Sequence, residues 1–165
     1  MWQIAGLPAH PLLVHAVVVL IPLAALMVVI GSVWPAARRK LGILTPIVAA
    51  VALAFVPLAK EAGEALERQV ESSAALQQHT ELGDQLLPWA VGLFVVAAGQ
   101  WAWFFFRNRR RASDSRSTDA RSTRTRVITV VIAVVAIVVA VATTVNVVQV
   151  GDSGARATWS SESGS

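Results

Sequence analysis

Residues 127–148 read VITVVIAVVAIVVAVATTVNVV: twenty-two residues of Val, Ile, Ala, Thr and one Asn, with no charge. As a helix rising 1.5 Å per residue this stretch is about 33 Å long, enough to cross a hydrocarbon core of about 30 Å. Its β-branched residues are no obstacle there, because in lipid the backbone must satisfy its own hydrogen bonds. Working outward, Asp, Glu, Lys and Arg are absent from four stretches, 1–37, 41–59, 85–106 and 127–151, which are 37, 19, 22 and 25 residues long. They predict four spans, Leu12–Trp34, Leu41–Ala59, Pro88–Phe106 and Val127–Val148. The short alternating segments of a membrane β-barrel are absent. The expected fold class is therefore all-α: a polytopic membrane protein with four transmembrane helices in a bundle.

Composition points the same way. Of 165 residues 55% are hydrophobic and only 15% charged, and the mean hydropathy is +0.60. A soluble domain of this size cannot hide so much apolar surface in one core. There is no cysteine and no tyrosine, which excludes disulfides, thiolate metal sites, Cys nucleophiles and tyrosyl chemistry.

The charges between the spans set an orientation. Arg38, Arg39 and Lys40 carry +3, and 107–126 carries eight Arg against Asp114 and Asp119, a net +6. Segment 60–84 sets Lys60 and Arg68 against Glu61, Glu64, Glu67, Glu71, Glu81 and Asp84, a net −4, and the tail carries −1. The positive-inside rule then puts 38–40 and 107–126 in the cytoplasm, and both termini and 60–84 outside a bacterial plasma membrane. No Lys or Arg precedes Arg38, so the first stretch reads as a retained span rather than a signal peptide. All six tryptophans fall near expected interfaces, Trp2, Trp89 and Trp159 outside and Trp34, Trp101 and Trp103 inside. The two basic loops explain the high pI, and their arginines suit anionic lipid headgroups; nucleic acid is not expected as a partner.

Residues 1–159 form one expected domain, with 107–126 a disordered basic loop and 160–165 a flexible tail. Segment 60–84 favours helix except around Glu71–Ser73. Helices two and three are therefore expected to extend beyond the outer face, to about Gln69 and from the cap at Ser72 or Ser73, with Pro88 kinking the latter.

Counting 1.5 Å per residue from the inner ends, His15 lies about 30 Å up, Glu61 and Glu64 about 31 and 36 Å, Asp84 about 34 Å, and Asn146 and Gln149 about 30–34 Å. One reading is that helix ends turn polar where water begins. The sharper one is a shared metal site of His15, Glu61, Glu64 and Asp84. This mixed nitrogen and oxygen set suits a divalent zinc, manganese or iron ion rather than copper(I). His10 and His79, at about 37 and 42 Å, are weaker candidates; a haem held between His15 and His79 would need their levels to match, so haem is the less favoured cofactor, although His10 is better placed to meet His79. Walker, HExxH, nucleophile-elbow and Gly-rich cofactor motifs are absent, so an enzyme is not the expectation.

GLPAHPLLVHAVVVLIPLA (6–24), VPLAKEAGEALE (56–67), HTELGDQLLPWAVG (79–92) and VQVGDSGARATW (148–159) together resemble a family of bacterial integral-membrane proteins named domain of unknown function 2231. The resemblance covers nearly the whole chain except 107–126 and the last few residues. It implies a small four-helix membrane protein and no established activity. Some similar proteins are fused to Rieske-type iron–sulfur domains, which implies a redox setting. Some relatives carry His where Asp152 stands here. Three function classes follow: an outward-facing His/carboxylate metal or cofactor site in a redox or accessory role; a ligand-free structural or partner subunit of a membrane complex; and a transporter component built by homo-oligomerisation.

Overall fold

The computed structural model describes residues 3–4, 7–68, 74–113 and 119–162. Two two-residue strands, β1 (Gln3–Ile4) and β2 (Leu7–Pro8), pair antiparallel ahead of the helices. Five helices follow: α1 Ala9–Val33, α2 Pro35–Leu41, α3 Leu44–Glu67, α4 Ala74–Ser113 and α5 Asp119–Glu162. Four of them, α1, α3, α4 and α5, are long and apolar enough to cross a membrane. They close a ring in which α1 packs on α3, α3 on α4, α4 on α5 and α5 back on α1, leaving α1 and α4 on a diagonal.

The turn between the first two long helices has clear local causes. Trp34 is extended, as the residue before a proline prefers. Pro35 then opens α2, where its missing N–H costs nothing. Gly42 ends α2 at φ 47°, a conformation that favours glycine. Pro11 sits in the first turn of α1, where proline is tolerated, so α1 begins before it and His10 lies on the helix rather than ahead of it.

The buried faces are chosen by size more than by hydropathy. On α5 the inward positions are Ala136, Ala140, Thr143 and Val147, while Val130, Val134, Val138, Val141, Val145 and Val148 are exposed. Lipid is as apolar as the core, so small residues go inward because they let backbones approach and gain van der Waals contact. On α3 the inward face is Ala49, Ala52, Val56, Ala59 and Ala62; on α4 it is Leu86, Ala90, Leu93 and Ala97. Opposite them α1 supplies the larger Leu13, Val17, Ile21 and Val28.

The helices keep one register along their length. Trp103 meets Thr129, Trp89 meets Thr143 and His79 meets Ser153, so equal steps on α4 and α5 separate successive contacts. α4 and α5 have 40 and 44 residues, about 60 and 66 Å, roughly twice a hydrocarbon core, so both project well beyond one. α3 ends at Glu67 and α4 starts at Ala74; the expected turn at Glu71–Ser73 lies outside the described residues. Of the segment expected to be disordered, 107–113 and 119–126 are helical and 114–118 lies outside the described residues. In the expected flexible tail the helix runs to Glu162, and 163–165 lies outside them too.

Candidate functional site

One group of polar side chains gathers where α1 and α4 begin and α3 and α5 end. His10 projects from the first turn of α1 onto α3, with Nδ1 3.0 Å from the Ala59 carbonyl oxygen. A carbonyl only accepts, so this nitrogen carries the proton and Nε2 keeps the lone pair. The ring lies on Gly63: a methyl there would meet His10 Cε1 at 2.9 Å, closer than real packing allows.

His79 repeats the design on α4 and α5. Its Nδ1 lies 3.0 Å from Ser153 Oγ. That hydroxyl donates to the Val150 carbonyl at 2.9 Å, so its lone pair accepts from the imidazole N–H. Here too Nε2 is left as the basic nitrogen. The ring lies on Gly154, where a methyl would meet Cε1 at 3.1 Å. The two imidazoles sit on diagonal helices, and a charge on His10 would be felt at His79.

The expected set of His15, Glu61, Glu64 and Asp84 is arranged differently. Lys60 Nζ lies 2.8 Å from Asp84 Oδ1 and 3.9 Å from Glu64 Oε1. The acidic groups of α3 and α4 thus already share a cation from the chain. Glu61 is exposed. His15 is exposed too, with Nδ1 donating to the Pro11 carbonyl at 2.6 Å. Among the described residues no three His, Asp or Glu side chains form a group able to hold a metal ion. The cause is a level shift. His10 touches Ala59 and Gly63, so His15, five residues further along α1, lies about 7.5 Å deeper. Counting from Lys40 overlooked that α2 intervenes before α3 starts at Leu44.

Two turns of α5 below Ser153, Asn146 is buried, and its Oδ1 has no hydrogen-bond partner among the described residues. Gln149 is exposed. Ser153 and Gly154, and Gly63 as the seat of His10 rather than a point of close helix approach, were the parts sequence reasoning did not assign. A Ser-Gly pair opposite one histidine and a lone Gly opposite the other were the available signals. Asp152 pairs with Arg156 on its own helix.

At the other end, Arg38 and Arg107 share one ring. Their guanidinium carbons lie 3.5 and 4.9 Å from the Phe104 centroid. Arg38 also donates to the Gly31 carbonyl, and Arg107 to Thr129 Oγ1, which Trp103 Nε1 reaches as well. Gln100, buried, donates to Ser32 Oγ at 2.7 Å and ties α4 to α1.

The model of the family described as predicted membrane protein DUF2231 matches residues 6–165. No curated protein and no solved structure is matched. The chain belongs to the DUF2231 family of predicted membrane proteins.

Proposed function

We propose that His10 and His79 together ligate a metal centre at one end of this membrane bundle. The observation that carries the reading is the pair of Nδ1 hydrogen bonds, which sets the tautomer. Both imidazoles hand Nδ1–H to an acceptor on a neighbouring helix, the outer-shell arrangement that fixes a histidine as a ligand and raises the basicity of Nε2. The Gly63 and Gly154 seats hold the rings against rotation. The donor set is two neutral nitrogens, with no third His, Asp or Glu grouped with them among the described residues. Such a set fits a centre that brings its own remaining ligands: an iron porphyrin, or a divalent ion completed by water. Either centre would supply redox or Lewis-acid chemistry, while the chain supplies orientation. The charge alternation of the loops favours an outward-facing site in a plasma membrane, in a redox or accessory role.

The test is an absorption spectrum with elemental analysis of the purified full chain. Bound metal is expected, lost on His10→Ala and on His79→Ala and kept on Glu64→Gln. An intense porphyrin band identifies haem; metal without it identifies a bare ion. Loss on Glu64→Gln with retention on His10→Ala would restore the carboxylate set with His15, Glu61 and Asp84. A protein without metal, whose melting temperature ignores haem and divalent ions, would leave both imidazoles as interhelical ties in a structural subunit.

A further inference from the structure

The arginine end carries an arrangement that the histidine site does not explain. Arg38 lies over Phe104, and Arg107 approaches the same ring. Two like charges thus share one aromatic ring. Burial first, and then the charges of Arg107 and Arg39, pull Arg38 below the ordinary guanidinium value, so its surroundings disfavour the charge it carries. Among the described residues its hydrogen-bond acceptor is the Gly31 carbonyl, and no carboxylate lies within ion-pair distance of it. The carboxylates whose side chains are described, Glu61, Glu64, Glu67, Glu81, Asp84 and Asp152, belong to the opposite end. Among the described residues Arg38 thus has no anionic partner, and a bound anion would supply one.

The place narrows its source. Arg38 follows the first charge-free stretch and Arg107 ends the third, which is where hydrocarbon meets headgroups. Exposed apolar side chains flank the corner on the membrane side: Val33, Trp34 and Phe106. A free phosphate has no use for that flank, but a phospholipid does. We propose that Arg38 and Arg107, both set on Phe104, with the neighbouring charge of Arg39, hold the phosphate of an anionic phospholipid whose acyl chains lie along the apolar surface of this end. A guanidinium stacked on a ring keeps its planar fork of N–H donors at the edge, aimed and stiffened for phosphate oxygens. This site is independent of the imidazole pair at the other end.

Native mass spectrometry of the full chain in detergent, with phosphatidylglycerol or phosphatidylcholine of the same acyl chains, tests this. Phosphatidylglycerol should be retained preferentially and should raise the melting temperature more. Arg38→Gln should lower its retention about fivefold, the factor one basic residue near an anionic headgroup supplies. Arg124→Gln removes the same charge from the same end away from Phe104 and should leave retention unchanged. Arg38→Lys, which keeps the charge and loses the fork, should fall between, and it serves if Arg38→Gln does not fold. Equal retention of the two lipids, or an equal loss in Arg38→Gln and Arg124→Gln, would overturn the proposal. So would a stabilisation by inorganic phosphate as large as that by phosphatidylglycerol.

Discussion

At one end of the bundle two imidazoles rest on glycines; at the other two guanidiniums rest on a phenylalanine. The imidazoles are held by interhelical hydrogen bonds, and their free nitrogens are lone pairs. The guanidiniums offer only N–H donors, at a place where like charges crowd. One end is therefore prepared for an electrophile and the other for an anion. Between them lies a dry core of Ile21, Ala24, Leu93, Ala97, Ala136 and Ala140. As proposed binding sites the two ends are independent, so changes at one should leave the other's ligand alone.

The sharpest break concerns the glycine seats. Gly63→Ala should destabilise the bundle by about 1–3 kcal/mol, the usual cost of overpacking, because its methyl meets His10 at 2.9 Å. Gly83→Ala is the control. Nothing lies within 4 Å of a methyl there, so it should be neutral or stabilise by up to about 1 kcal/mol through helix propensity. Denaturant titration of both variants in the same detergent decides; equal effects would mean that His10 does not need its seat.

Next comes Ser153→Ala, which removes the hydroxyl acceptor of the His79 N–H and leaves it only the Val150 backbone. Bound metal should weaken about 10-fold or more, as for other outer-shell partners, while phosphatidylglycerol retention stays as it was. A competitive chelator titration measures the first, and native mass spectrometry the second.

Asn146→Leu should raise stability by about 1 kcal/mol. It replaces a buried amide whose oxygen has no partner among the described residues with an apolar side chain of similar size. A fall in melting temperature instead, together with loss of bound metal, would draw Asn146 into the ligand shell.

The smallest effect belongs to Lys60. Its contacts with Asp84 and Glu64 are half exposed, so Lys60→Gln should barely move the melting temperature, and any difference should vanish at about 1 M salt, where the Debye length is about 3 Å. A large loss would make the α3–α4 ion pair part of the histidine end's architecture.

Much of the fold was legible in the chain. Four charge-free stretches each long enough for hydrocarbon predict four spans, and the structure has four helices of that kind. The helical leanings of KEAGEALE and HTELGDQ (60–67 and 79–85) predict the projection of α3 and α4 beyond the spans. The candidate site was legible only in part. Depths counted from each helix's inner end favour His15 over His10 and His79 only where those ends are level. They are not: the seven residues of α2 stand between α1 and α3, and an offset of about one helix turn decides that His10, not His15, meets Ala59 and Gly63.

The sequence by itself determined the class of protein, the number of crossings and which ends are basic. Those depend on how much apolar length and charge a segment carries, which are local sums. Only the tertiary structure decided which face of each helix is inward and which side chains meet. Lipid and core are equally apolar, so hydropathy does not distinguish Val138, exposed, from Ala136, buried. That choice comes from close packing between backbones. It also brought His10 to Gly63, His79 to Ser153 and Gly154, and Arg38 to Phe104: contacts across 53, 74, 75 and 66 residues, which no local pattern in the chain encodes.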